Sequence, residues 1–259
     1  MTTQLPATRF ILIETSHAGN VGAVARAMKV MGFDDLVLVR PRWPDVLQRD
    51  EALQRASGAA DVLVRARVVG TLDEALHGMT HLCATAMTPR DFGPPTEAPR
   101  AYLARWHDEP ALQGGGGMAF LFGAERHGMS NADVYRCHVC LSIPTAPGYG
   151  SLNLAAAVQL LAYEWRLALG GCATVAAAAQ THERQAPADR PADAQAVAGL
   201  LDHWQQALLA LDFLDAQAPK KLLPRLNQLL NRAQPTEAEV HILRGVARAM
   251  LQTAARAKR

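Results

Sequence analysis

A mostly parallel α/β fold followed by a small all-α unit is what this sequence predicts, from three observations. Short apolar runs alternate with helical stretches through residues 1–169, residues 170–195 are polar and broken by proline, and from Ala196 the pattern is purely helical. A sheet with helices packed on it, a linker and a helical extension over 196–259 follow.

The strands come first. Phe10-Ile-Leu-Ile13, Leu36-Val-Leu-Val39, His81-Leu-Cys-Ala84, Met118-Ala-Phe-Leu-Phe122 and His138-Val-Cys-Leu-Ser-Ile143 are nearly continuous apolar runs. Strands covered on both faces read this way. Between them, helices are expected over Val21–Met31, Asp45–Ala56, Leu72–Leu76, Asn131–Arg136 and Ser151–Leu169, with Ser151 a plausible N-cap and Gly170-Gly171 the terminator. Gly114–Gly117 reads as a flexible turn, because no Gly-Lys-Ser/Thr follows to make it a phosphate loop. In the tail, helices are expected around Leu200–Leu209, over Lys220–Arg232 and from Pro235 towards Ala255, the last with Thr236 and Glu239 in capping-box spacing.

Composition narrows the function classes. At 49% hydrophobic and 19% charged, the 259 residues suit a globular protein with an ample core. No apolar run reaches the length of a membrane span, and Met1-Thr-Thr-Gln-Leu-Pro lacks the features of a signal peptide, so a cytoplasmic protein is expected. Four cysteines are too few for a disulfide framework. Cys137-His-Val-Cys140 has metal-ligand spacing but no second pair, and on a strand its two thiols would face opposite sides, so no metal is expected. Charge is uneven: residues 196–259 carry nine Lys/Arg against five Asp/Glu, a net of +4 in a chain whose total is +2. Such a patch suits a phosphate backbone, and equally a solvated helical face.

Three loops follow strands and carry the polar residues. After Thr15 come Ser16, His17, Gly19, Asn20 and Gly22 at the start of a helix that bears Arg26 among small residues. A Rossmann site would need Gly-x-Gly-x-x-Gly and an acidic residue after the next strand; here the spacing is Gly19-x-x-Gly22 and Arg40-Pro-Arg42 follows instead. The second loop runs from Gly123 and Glu125 to Asn131, the third from Ile143 to Ser151 with Pro144, Pro147, Gly148 and Gly150. Ligand groups at the carboxyl ends of parallel strands are the expected site of such a fold.

Glu14-Thr-Ser-His-Ala-Gly-Asn20, Ser151-Leu-Asn-Leu-Ala155 and Ala162-Tyr-Glu164, with Leu222-Leu-Pro-Arg-Leu226, Asn231-Arg-Ala233 and Ile242-Leu-Arg-Gly245 in the tail, resemble the SPOUT-class RNA 2′-O-methyltransferases. Within that class the chain is similar to the bacterial tRNA cytidine/uridine-2′-O-methyltransferases over nearly its whole length. The resemblance implies an α/β-knot domain with a deep trefoil knot near its C-terminal end. It implies S-adenosylmethionine held by three loops, carried here by Thr85, Ala86 and Met87, by Gly123, and by Ile143, Gly150, Ser151 and Leu152. It places Arg26 and Ser151 at the reaction centre, with Asn20 and Glu125 shaping it, and His17 structures the loop or serves as base. It further implies a homodimer in which Arg26 approaches the partner's cofactor, and nucleotide 32 of the tRNA anticodon loop as target. Lys220, Lys221, Arg225, Arg232, Arg244 and Arg248 would hold tRNA, although Arg225 and Arg232 are equally suited to locking the helical unit together. Ala124 and Gly150 depart from the charged residue and serine common in relatives, which bears on substrate preference. An enzyme acting on ribosomal RNA, a non-catalytic RNA-binding relative and, more remotely, a nicotinamide enzyme are the alternatives.

Overall fold

The computed structural model describes residues 6–86, 90–109, 112, 116–170, 190–215 and 221–257. Met87, Lys220 and most of the expected linker lie outside them, as do Gly114, Gly115 and Gly171.

Among the described residues seven strands form one sheet: β1 (Ala7–Ile13), β2 (Asp35–Val39), β3 (Arg67–Val69), β4 (His81–Thr85), β5 (Thr96–Glu97), β6 (Gly117–Phe122) and β7 (Val139–Leu141). Their order is β3-β2-β1-β6-β4-β7-β5 and every pair is parallel. Alternation along β1 and β6 builds two cores. Phe10, Leu12, Met118, Phe120 and Phe122 face one side, and Ile11, Ile13, Ala119 and Leu121 the other.

The first face is covered by α1 (Ala18–Val30), α2 (Asp50–Ala56), α3 (Ala60–Arg65), α5 (Pro99–Leu103) and α7 (Leu154–Ala168). Trp165 of α7 is buried there, its Nε1 donating to Thr8 Oγ1 at 2.8 Å, and it meets Phe120 edge-on. The second face is covered by α4 (Leu72–Leu76) and α6 (Asn131–Tyr135), whose Leu72, Leu76 and Val134 are buried against it. The chain therefore leaves α6 on the second face, enters the sheet as β7 between β4 and β5, and emerges as α7 on the first.

The tail forms α8 (Ala194–Ala210), α9 (Leu222–Ala233) and α10 (Glu237–Ala257). Asp193 caps α8, and the Thr236–Glu239 pair caps α10 reciprocally. Amide side chains seat α9 on the second face: Asn231 Nδ2 donates to Cys137 O at 2.9 Å, Asn227 donates to Tyr135 O, and Gln234 Nε2 donates to Glu109 at 3.0 Å. Neither Arg225 nor Arg232, both exposed, has a carboxylate partner among the described residues; Arg225 lies over the Phe92 ring instead.

Several local expectations change. The helix expected over Asp45–Ala56 is a short 3-10 turn, Val46–Gln48, followed by α2. The last strand is only Val139–Leu141, so Cys137 lies outside it, its N–H donating to Val134 O at the end of α6. Cys137 and Cys140 consequently share one buried cluster and do not face opposite sides. Gly117 is part of β6, packed against Met79 and Gly78. The cap of α7 is Asn153, two residues beyond Ser151, with Oδ1 accepting from Ala155 N at 2.9 Å.

Candidate active site

Strands β1, β6, β4 and β7 are consecutive neighbours, so the loops at their carboxyl ends form one surface. At its centre is the Glu125 carboxylate. Its Oε2 accepts from Ser16 N at 2.9 Å and Ser16 Oγ at 2.8 Å; its Oε1 accepts from Asn20 Nδ2 at 2.9 Å and His17 N at 3.3 Å. His17 opens α1 without a side-chain cap of its own. A carboxylate from another loop thus takes the backbone donors just ahead of the helix, where negative charge is favoured. Burial pushes the Glu125 carboxyl up, but the donors from Asn20 and Ser16 outweigh it and hold the group below the ordinary glutamate range.

The bracket continues. Asn153 Nδ2 donates to Asn20 Oδ1 at 3.1 Å while its Oδ1 caps α7. One chain of hydrogen bonds therefore joins the loops after β6, β1 and β7. Asn20 and Glu125, both singled out from sequence, touch directly. Asn153 and Ser16 were not assigned roles there, although an asparagine just before Leu154 is an N-cap signal in its own right.

The other candidates fall around this bracket. Thr85 ends β4 with its Oγ1 donating to Leu121 O at 2.9 Å, and Ala86 N donates to Leu141 O at 3.3 Å. A Cβ on Gly123 would stand 2.1 Å from the Gly128 carbonyl carbon, so only glycine lets the 124–128 turn fold back onto the strand end. Ile143 is half-buried against the first core, and the following loop closes on itself through an Ala146–Tyr149 bridge. Ser151 and Leu152 are exposed and Gly150 is half-exposed. Arg26 is exposed on α1, and among the described residues it has no hydrogen-bond or ion-pair partner; within one chain it does not meet Ser151, Asn20 or Glu125. Lys221 and Arg225 lie with their charged ends 3.9 and 5.6 Å from the Phe92 ring centroid, and Arg244 and Arg248 line a pocket with His203 and His241. Among the described residues no group of three or more His, Cys, Asp or Glu is placed to hold a metal, and no helix is long and apolar enough to cross a membrane.

A parallel sheet whose ligand loops gather at its carboxyl edge defines a broad class, and comparison with known proteins narrows it. Residues 7–163 match the SpoU rRNA Methylase family, to which the chain belongs. Within that family it groups with TrmJ: residues 195–259 match the tRNA methyltransferase TrmJ, C-terminal domain. It is 39% identical over 242 residues to the tRNA (cytidine/uridine-2′-O-)-methyltransferase TrmJ of Klebsiella pneumoniae, spanning 92% of this chain and 93% of that relative. The crystal structure of TrmJ from Z. mobilis ZM4 has a TM-score of 0.75 at 30% identity, covering 95% of this chain and 99% of that one. A probable methyltransferase from Bordetella pertussis Tohama I is 46% identical with a TM-score of 0.58, covering 63% of this chain and 96% of that one.

Proposed function

We propose that this protein is a cytoplasmic, homodimeric tRNA methyltransferase that uses S-adenosylmethionine to form 2′-O-methylcytidine or 2′-O-methyluridine at nucleotide 32 of the anticodon loop. The observation that carries the reading is the Glu125–Asn20–Asn153 bracket, which ties three strand-end loops into one rigid rim. The match to TrmJ relatives along both the sheet domain and the tail supports tRNA over ribosomal RNA.

The strand-end loops fit the cofactor. Those after β4, β6 and β7 are adjacent, and they offer backbone groups at Thr85, Ala86, Gly123, Gly150, Ser151 and Leu152 beside the apolar flank of Ile143. Met87 would belong to the same set. The passage of β7 between β4 and β5, from one sheet face to the other, supports a deep trefoil knot beneath the β4–β5 connection. When bound, S-adenosylmethionine supplies an already activated methyl group.

What the protein must add is alignment of the 2′-hydroxyl and help with loss of its proton. An arginine without a carboxylate partner keeps its N–H fork for a ligand, so Arg26 serves the substrate phosphate or the developing alkoxide. Its pKa, above about 12, makes it a poor base. Ser151, exposed beside the bracket, contacts the reacting ribose. Leu160, Tyr163 and Leu167 form an exposed stripe on α7, joined by Val30 of α1, and this supports a dimer interface that carries Arg26 to the partner's cofactor. Lys220, Lys221, Arg225, Arg232, Arg244 and Arg248 would hold the tRNA body.

The test is methyl transfer from labelled S-adenosylmethionine to a tRNA transcript, beside the same tRNA with a 2′-deoxy residue at nucleotide 32. Label on the first only is expected. Label on both moves the target elsewhere, and label on neither overturns the reading.

A further inference from the structure

Many arginines of the sheet domain pair with carboxylates. Arg9, Arg65, Arg67, Arg100, Arg105 and Arg136 each pair with a carboxylate. At the carboxyl edge Arg40, directly after β2, pairs with Glu14 at 3.1 Å, whereas three other arginines there do not pair. Arg42, three residues after β2, Arg55 on α2, and Arg126, next to Glu125, have no ion-pair partner among the described residues. Unpaired positive charge facing one side of a domain is the footprint of a polyanion site.

Within that set one cluster is built differently. Trp43 is 37% exposed, and the guanidinium carbons of Arg42 and Arg49 stand 4.9 and 4.3 Å from its ring centroid. Stacking on an indole holds a guanidinium plane while leaving its N–H edges free. Arg49 also reaches Asp45 at 3.3 Å, an exposed and long contact; among the described residues the Arg42 side chain has only the ring. Two backbone ties place the cluster beside the reaction centre. Arg42 N donates to Thr15 O at 3.0 Å, immediately before Ser16, and Arg49 O accepts from Ala52 N at 2.9 Å at the start of α2, whose Glu51 and Arg55 line an open groove with His17, Asn20 and Asn153.

We propose that Arg42, Trp43 and Arg49 form a binding platform for single-stranded RNA, taking a nucleotide next to the one that is methylated. The guanidinium forks hold its phosphate, and the indole lies against its base. Stacking on an aromatic ring beside a cationic groove is how unpaired nucleotides are held without reading their sequence. This rests on the methyltransferase reading, since an anticodon loop is the single-stranded substrate it supplies.

The experiment measures binding of an anticodon stem-loop RNA to the full-length protein without turnover, at several salt concentrations. Trp106 and Trp165 are buried and Trp204 is half-buried in the tail, so only the part of any fluorescence quenching on RNA addition that disappears in Trp43→Phe reports contact at Trp43. The double variant Arg42→Gln/Arg49→Gln is expected to weaken binding at least tenfold. It should also flatten the log–log salt slope by about 0.7, the share of one single-strand phosphate. Trp43→Phe should keep most of the affinity and Trp43→Ala lose it. Titration with S-adenosylmethionine confirms that each variant is folded. RNA that binds with unchanged slope in the double variant, or without a Trp43 signal, overturns the platform. Methyl transfer by the unaltered protein is scored separately, so a catalytic failure there sinks the methyltransferase reading while the binding data still decide the platform.

Discussion

Glu125→Gln isolates the bracket at the centre of the site. The substitution keeps an oxygen for Asn20 but turns an amide N–H₂ towards Ser16 N, a donor against a donor. A hydrogen bond to a charged group contributes about 1.5–3 kcal/mol. Four donors converge here, but the carboxylate is half-exposed and water replaces part of what is lost. The net cost should be about 2 kcal/mol, which for a domain of this size lowers the thermal midpoint by roughly 4–8 °C. Expressed wholly at the reaction centre, the same energy is about a thirtyfold loss of turnover. The sign with pH follows from the depressed carboxyl. Its contribution is complete above the unfolded value of about 4.3 and is lost as pH falls through the lower folded value. Calorimetric melts should therefore show a constant gap between wild type and variant near pH 7 that narrows towards about pH 3. A variant melting within about 1 °C of wild type at pH 7, or a gap that does not narrow, would refute the reasoning.

Arg26→Ala should abolish methyl transfer with cofactor affinity changed by less than tenfold, about 1.4 kcal/mol, in a calorimetric titration; a larger loss of cofactor binding sinks its assignment to the substrate. Gly22→Ala puts a Cβ 2.0 Å from Ala52 O, where α1 crosses α2. Overpacking costs about 1–3 kcal/mol and more against rigid backbone, so it outweighs the helix preference of alanine, about 1 kcal/mol. Urea unfolding should show net destabilisation, and a stabilised variant would contradict the close packing. His81 is buried against Tyr102 and its pKa is lowered to about 3 by desolvation. Below the unfolded value of about 6.5 the unfolded chain binds the proton first, so stability falls with pH by about 2 kcal/mol between pH 6.5 and 5. His81→Gln should remove that share of the slope, and an unchanged slope would refute it. Leu160→Asp on the exposed α7 stripe should give monomers in sedimentation; a wild type already monomeric would remove the proposed interface.

The two-faced apolar runs Phe10–Ile13 and Met118–Phe122 were legible as central parallel strands, because burial on both sides leaves no polar alternation. The strands β3 and β5, of three and two residues, were not, since so few positions carry no period. Helix α1 starts three residues earlier than its apolar pattern suggests, because Glu125, rather than a local cap, takes the donors before it. Asn20 and Glu125 were legible as candidate site residues from the family-like motifs. Their contact, across 105 positions, was not.

By itself the sequence determined the parallel α/β class of the fold and the positions of its central strands and polar strand-end loops, because these follow from local periodicity and from where glycine and proline interrupt it. The tertiary structure decided the partners. It chose Asn153 over Ser151 as the cap of α7, put Cys137 and Cys140 on one side, tied α9 to the sheet domain through amides, and left Arg42 and Arg55 without carboxylates among the described residues while pairing Arg9 and Arg136. Burial of apolar surface is non-directional and is written along the chain, whereas a hydrogen bond or ion pair exists only at a particular distance between residues that the fold brings together.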